Sequence, residues 1–195
     1  MGGKLALSIP FGSDYLAWYF QNINWSFGGS YSKEWDQNLT SAQTIEAGQW
    51  LQEMVGSGLI ETAKTPSESF AACQSALLLQ STGSLQGLEE TVQGFELATA
   101  FLPGFGDSYV CPTGRAGIAI PAKVTGERRA AAVKFIAFMT NDDSTSAFSQ
   151  ATGYMPVTKG AQDNEQMKSY MAKHPHASTA VEQLAHTRRK IITGF

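Results

Sequence analysis

The sequence has few of the charged residues and none of the long apolar runs that are the features of nucleic-acid-binding proteins and of membrane-spanning proteins. Only 16% of its 195 residues are charged, the formal net charge is −3, and no basic stripe appears along the chain. This pattern argues against nucleic acid as a partner. No apolar run approaches the roughly 20 residues that a membrane-spanning helix needs, so no transmembrane helix is expected. An apolar share of 43% is nevertheless typical of a folded globular protein.

Cysteine and histidine are also scarce, with two and three copies in the chain. Cys73 and Cys111 fit either a disulfide in a secreted protein or two small buried thiols, and the sequence leaves both open. His174 and His176 form a His-x-His pair within the polar, proline-containing stretch KHPHAST. We expect a solvated loop there, and neither a metal site nor a cofactor.

The familiar catalytic signatures are missing. In STGSLQG the glycine stands directly before Ser84 rather than two residues before it, so the stretch is not a nucleophile elbow. GFGDS lacks the third glycine of a dinucleotide-binding loop. Glu89 and Glu90 are sequence neighbours, which do not face each other on a helix. The sequence therefore predicts no catalytic centre.

Apolar runs bounded by proline, glycine and serine predict strands. These strands cover residues 4–10, 75–81, 96–103 and 116–121. Helical spacing of apolar residues predicts a helix after Ser13 and another that ends at Gly56 and Gly58. A third begins after Thr125. Strands alternate with helices, so the predicted class is α/β with an open sheet.

Helix boundaries carry their own signals. Thr40–Gln43 and Thr179–Glu182 match the capping box, and Asn141 is a predicted N-cap. Gly153 ends the helix that Asn141 begins, and a proline two residues after Tyr154 prevents its continuation. The stretch GYMPV thus predicts a tyrosine held in a fixed, exposed position.

Two features suggest a site for a small polar solute. Tyr15 and Trp18 lie three residues apart on one helical face, which fits either core packing or stacking on a ligand. Ser81 follows a buried strand, and ligands of open α/β sheets bind at the carboxyl ends of strands. An ordinary turn capped by Ser81 is the alternative.

The ordered series of motifs resembles one family over essentially the whole chain from about residue 4. The series runs SFAACQSALLLQSTGSLQGL, ATAFLP, TGRAGIAIPA, ERRAAAVKFIAFMTNDD and FSQATGYMPVTKGA. It resembles the extracellular solute-binding proteins of bacterial ABC importers for sugars and glycerol phosphates. The resemblance implies an α/β lobe of the periplasmic-binding-protein type II, with an open mixed sheet flanked by helices.

The resemblance also implies ligand contacts. Ser81 and Tyr154 match the serine and the tyrosine with which this family binds its ligand. Gly114 and Arg115 stand where the family has two glycines, so Arg115 would either offer a guanidinium fork to a phosphate or carboxylate or fill part of the pocket. Trp18 or Tyr15 would take the place of the family's tryptophans.

Members of the family are about twice as long, so the resemblance implies that this chain is part of a longer protein. Residues 1–103 and 154–195 would form the second lobe. Residues 112–152 would supply the crossover strand and helices of the first lobe, most of which would be absent. We then expect weak binding or none by this chain alone, and self-association through the uncovered lobe-facing surface.

The expected function is therefore that of a solute-binding component outside the cytoplasm, periplasmic or anchored as a cell-surface lipoprotein. It would capture a sugar, a glycerol phosphate or a glycerophosphodiester between two lobes and deliver it to the permease subunits of an ABC importer. Two alternatives stay open. One is a small α/β hydrolase that uses Ser81 or Ser84, and the other is a protein-interaction module.

Overall fold

The computed structural model describes residues 5–10, 15–104, 109–114 and 117–186, apart from the side chains of Tyr15 and His186. Its strands are β1 (Leu5–Pro10), β2 (Ser32–Lys33), β3 (Asp36–Gln37), β4 (Ile60–Ala63) and β5 (Ser75–Leu78). Its helices are α1 (Tyr15–Ser26), α2 (Ala42–Gly56), α3 (Pro66–Ala71), α4 (Leu85–Thr91), α5 (Gly126–Met139), α6 (Asp142–Thr152), α7 (Lys159–Asp163), α8 (Glu165–Lys173) and α9 (Pro175–His186). A 3₁₀ turn, Thr82–Ser84, leads into α4.

A three-stranded parallel sheet, in the order β4-β1-β5, organises the first half of the chain. In its register Leu7 pairs with Ile60 on one side and with Leu77 on the other. Helices α1 and α3 pack against β1, and α2 packs against β4. The second half of the central strand, from Ser8 to Pro10, is consequently buried, with Ile9 almost wholly inaccessible. The predicted α/β class is confirmed.

The strand predictions at 4–10 and 75–81 are confirmed by β1 and β5. Strand β4 was not predicted, because Glu61 and Lys64 make its segment polar. The alternation of the β-branched residues Ile60 and Thr62 was the available signal. β4 is held as an edge strand by its pairing with β1 rather than by its own composition.

The strand predicted at 96–103 is wrong, although that segment is apolar. Its backbone pairs with a side chain of α9 instead of with a strand. Leu102 N–H donates to Gln183 Oε1 at 2.9 Å, and Gln183 Nε2 donates to the Leu102 carbonyl oxygen at 3.0 Å. Gln183 is buried. One amide group therefore satisfies both backbone groups that a neighbouring strand would otherwise satisfy.

The strand predicted at 116–121 is also wrong over its described part, 117–121. A strand needs a hydrogen-bonded neighbouring strand, and none of the described strands pairs with this stretch. Ile118 is 54% exposed there. The following helix, α5, likewise has no buried residue, and Val133, Phe135 and Phe138 are each more than half exposed. This exposed apolar surface of α5 is unusual for a helix of a folded domain.

The predicted boundaries at Gly56, Asn141 and Gly153 are confirmed, whereas the capping boxes at Thr40 and Thr179 are wrong. Asn141 caps α6, with its Oδ1 accepting from Ser144 N–H at 2.8 Å, and Gly153 ends that helix. Ser41, not Thr40, caps α2. Thr179 lies inside α9, which begins at Pro175, a residue suited to the first helical turn.

The remaining helix predictions concern starts and membrane spans. Helix α5 begins directly after Thr125, as predicted, but the threonine hydroxyl makes no capping hydrogen bond. Ser13 lies outside the described residues. None of the described helices combines the length and the apolar character that crossing a membrane requires.

Candidate functional site

The candidate site lies at the carboxyl edge of the parallel sheet. β1 and β5 are parallel neighbours, so the segments that follow them, α1 and the Ser81 turn, begin at the same edge. Ser81 is the N-cap of the 3₁₀ turn, and its Oγ accepts from Gly83 N–H at 3.3 Å. The serine is thus at once a local cap and a hydroxyl at the end of a strand.

The C-terminal end of α6 packs directly against this turn. Gly153 has a left-handed backbone, with φ of 76°, and its N–H donates to the Ser149 carbonyl oxygen at 2.9 Å. A Cβ at Gly153 would lie 2.7 Å from the Thr82 carbonyl oxygen. Only glycine meets both demands, because any other side chain would be strained at this φ and would collide with the Ser81 turn.

The ring of Tyr154 lies on the same turn. A Cβ on Gly83 would be 3.0 Å from Tyr154 Cζ and 3.2 Å from its hydroxyl oxygen. The ring also stacks on Phe148, with 6.3 Å between centroids and 11° between planes. Tyr154 is nevertheless 54% exposed. The Tyr154 ring is therefore held by its contacts with Gly83 and Phe148 and is open to solvent on its other side. The sequence motif GYMPV predicted such an exposed, fixed tyrosine.

A second aromatic ring lies on a second glycine. A Cβ on Gly114 would lie 3.0 Å from Trp18 Cη2 and 3.1 Å from Cζ2. Trp18 is in the first turns of α1, and its side chain is partly exposed. The structure thus brings the predicted residues Trp18 and Gly114 together. The side chain of Tyr15 and the whole of Arg115 lie outside the described residues.

Gln80 joins these two groups of residues. Its Oε1 accepts from the Tyr19 hydroxyl of α1 and, at 2.9 Å, from Ser81 N–H. Its Nε2 donates to Ser67 Oγ at 3.2 Å. Sequence reasoning missed Gln80. A polar residue that ends the buried run SALLLQ and directly precedes Ser81 was the signal that could have found it.

This arrangement suits the binding of a small polar solute. It offers two partly exposed aromatic faces and a hydroxyl on a rigid turn, which is what a small polar solute needs. His174 and His176 both direct Nδ1 toward Glu89, at 4.0 and 2.9 Å. No described group of three or more His, Cys, Asp or Glu side chains could hold a metal ion.

Glu89, His174 and His176 border a groove of about 370 Å³, whose walls also include Val92, Phe95 and Leu97. The predicted solvated loop at KHPHAST is wrong, because His174 caps α8 and α9 begins at the next residue. Tyr170 stacks on His174, with 4.4 Å between ring centroids. Burial and, to a smaller extent, the Glu89 carboxylate raise the pKa of Tyr170.

The two cysteines are both free thiols. Cys73 is exposed and has a left-handed backbone, with φ of 56°. Cys111 is partly buried, and this burial raises the pKa of its thiol. Of the alternatives that the sequence left open, the structure has the unpaired state, with only Cys111 partly buried.

Comparison with known proteins gives concordant matches. Residues 3–176 match the family described as bacterial extracellular solute-binding protein. UgpB from Mycobacterium tuberculosis, crystallised in complex with glycerophosphocholine, is 42% identical and superimposes with a TM-score of 0.85 over 96% of this chain. The cyclic α-maltosyl-1,6-maltose binding protein from Arthrobacter globiformis shares the fold, with a TM-score of 0.71 at 20% identity over 96% of this chain.

A curated relative is the sn-glycerol-3-phosphate-binding periplasmic protein UgpB of Escherichia coli K12. It is 27% identical over 121 residues, which are 60% of this chain and 27% of that protein. The chain spans 48% of the Mycobacterium structure and 49% of the Arthrobacter structure. On the match of most of its length to the family, together with the type II periplasmic-binding-protein fold of its structural neighbours, this chain belongs to the bacterial extracellular solute-binding proteins.

Proposed function

We propose that this chain is part of the solute-binding component of a bacterial ABC importer. It works outside the cytoplasm, captures a small polar solute and, within the complete protein, delivers it to the permease subunits. No covalent bond is made or broken. The observation that carries the proposal is that Trp18 and Tyr154 each lie against a glycine, Trp18 next to the Tyr19 that bonds to Gln80, and Tyr154 on the turn that Ser81 begins.

The proposed solute is a glycerol phosphate, a glycerophosphodiester or a sugar. Aromatic faces bind the C–H surfaces of such molecules, and the Ser81 hydroxyl supplies a hydrogen-bonding group beside them. The 42% identity to a protein crystallised with glycerophosphocholine supports the phosphodiester most directly. Arg115 follows Gly114 in the chain, and we propose that its guanidinium binds the phosphate.

The proposed division into lobes follows the exposed surfaces. Residues 1–103 and 154–195 form the second lobe, and residues 112–152 supply the crossover strand and helices of the first lobe, most of which lies outside these 195 residues. The exposed apolar surface of α5, at Val133, Phe135 and Phe138, supports this division, because a first lobe would cover it. In its absence we propose that the surface drives self-association of the chain.

A thermal-shift screen tests the proposed function. A solute that binds only the folded state raises the unfolding midpoint by mass action. We expect glycerophosphocholine or sn-glycerol-3-phosphate to raise the midpoint, and Tyr154→Ala to abolish this response. Maltose serves as the sugar probe. Trp35→Ala is the matched control, because Trp35 is 87% exposed on the β2–β3 hairpin, apart from the site.

Each outcome has a distinct meaning. A response that survives in Tyr154→Ala would place the solute elsewhere and contradict the site. Absence of any response would be followed by the same screen on the full-length protein, where a second failure would refute the function. Turnover of carboxylic esters or phosphodiesters that is lost in Ser81→Ala or Ser84→Ala would favour the hydrolase instead. We expect none, since Ser81 Oγ accepts from Gly83 N–H and the relatives are binding proteins.

A further inference from the structure

We propose that Gln80 is the positioning residue of the solute site, in that it sets the place of Trp18 relative to Ser81. This inference rests on the proposed function and deepens it. Gln80 itself is partly exposed, and we assign it no contact with the solute. It acts through hydrogen bonds to the elements that carry Trp18 and Ser81.

The contacts of Gln80 join three separate segments. Its Oε1 accepts the Tyr19 hydroxyl proton from α1 and the Ser81 N–H from the turn after β5. Its Nε2 donates to Ser67 Oγ in α3 at 3.2 Å. The side chains of Tyr19 and Ser67 are 61 and 13 residues from Gln80 in sequence. One amide therefore holds together segments that are distant along the chain.

The chemistry of the amide explains why glutamine stands at position 80. Its oxygen has two lone pairs and can serve both donors, while its nitrogen supplies a donor for the serine. Tyr19 is only 6% exposed. A buried phenol O–H and a backbone N–H that lost their acceptor would have to seek others, and the easiest way is for α1 or the turn to move.

Such a movement reaches the site directly. Trp18 precedes Tyr19 in α1, and its ring lies so close to Gly114 that a Cβ there would be 3.0 Å from Cη2. On the other side, Ser81 caps the turn whose Gly83 lies against the Tyr154 ring. A shift of α1 relative to the turn would change the distance between the two aromatic faces. Gln80 is thus expected to tune the width of the site.

Three variants test this role on the chain as it stands. Gln80→Leu removes both hydrogen-bonding functions, whereas Gln80→Glu keeps an acceptor for Tyr19 and Ser81 and can accept from the Ser67 hydroxyl. Tyr19→Phe removes a single O–H and leaves the Gln80–Ser81 bond in place. Gln183→Leu is the matched control, because Gln183 is a buried amide that also bonds backbone groups, those of Leu102, outside the site.

The first readout needs no ligand. In nitrogen–proton correlation spectra we expect Gln80→Leu to shift the Trp18 indole signal and the Ser81 and Gly83 amide signals. Gln80→Glu should shift and broaden the Ser81 amide signal less than Gln80→Leu does. It should also keep the Trp18 indole signal near its original position. Tyr19→Phe should move Trp18 alone. A Tyr19→Phe spectrum with an unmoved Trp18 signal would overturn the inference, even if Gln80→Leu fails to fold.

The second readout is affinity for glycerophosphocholine by calorimetry on the full-length protein. Loss of the shared acceptor should weaken binding about tenfold in Gln80→Leu, and Gln80→Glu should recover most of it. Gln183→Leu should lower the unfolding midpoint with the same affinity as the unmodified protein. Equal affinity losses in the Gln80→Leu and Gln183→Leu variants would mean a merely structural role. If the unmodified protein binds no solute, the proposed function fails, while the spectra still decide whether Gln80 positions Trp18.

Discussion

Replacing Gly153 by alanine tests whether the end of α6 and the Ser81 turn are built as one unit. Two costs arise at this position. The φ of 76° is left-handed, which costs a residue with a Cβ about 1–2 kcal/mol. The new Cβ would also lie 2.7 Å from the Thr82 carbonyl oxygen, so the backbone of α6 or of the turn must shift. Such overpacking costs a further 1–3 kcal/mol, roughly.

Gly58 offers a matched control for the same substitution. It also has a φ of 76°, but nothing lies within 4 Å of the position of its Cβ. Gly58→Ala should therefore lose only the backbone term, and Gly153→Ala should lose about twice to three times as much free energy of unfolding. For a chain of this size each kcal/mol lowers the midpoint by roughly 2–4 °C.

Urea and thermal unfolding followed by circular dichroism measure both variants. Equal losses for the two variants would refute the reasoning, because they would mean that the Thr82 contact carries no cost. A larger loss for Gly153→Ala, together with shifted Ser81 and Gly83 amide signals, would support a single rigid unit. Tyr154 would then owe its position to the glycine that precedes it.

Three further predictions concern other parts of the chain. Asn141→Ala should cost about 1 kcal/mol of unfolding free energy by removing the cap on Ser144 N–H, and equal losses in Thr125→Ala, whose hydroxyl caps nothing, would contradict this. A thiol reagent at pH 8 should modify exposed Cys73 faster than Cys111, because burial raises the pKa of Cys111 and lowers its thiolate fraction; equal rates by mass spectrometry would disprove it. Phe138→Ser should reduce the apparent mass in light scattering, whereas a monomeric unmodified chain would refute self-association.

Local signals in the sequence were sufficient for several features of the site. The glycine, tyrosine and proline of GYMPV predicted an exposed aromatic after a helix, and Tyr154 is in that position. Asn141 predicted the start of α6 as an N-cap, and Ser81 predicted a turn because it follows an apolar strand. These features depend on interactions within a few residues. Such helix caps and turns can therefore be predicted from the residue types at a few neighbouring positions.

Hydrogen-bonded pairing between distant segments could not be predicted from such local signals. The apolar stretch 96–103 forms hydrogen bonds with the side-chain amide of Gln183 on α9 rather than with a strand. The polar stretch at β4 became a strand because β1 lay beside it. In both cases the hydrogen-bonding partner was supplied by another part of the fold, and composition alone does not reveal which partner is present.

The sequence by itself determined the α/β class, the helix ends around Asn141 and Gly153, and the resemblance to solute-binding proteins. Only the tertiary structure decided that the ring of Tyr154 lies on Gly83, that Trp18 lies on Gly114, and that Gln80 joins their two segments. The physical reason is the range of the interactions. Caps and turns are made by neighbours in sequence, whereas a binding site is made where the carboxyl ends of strands bring distant residues to one edge.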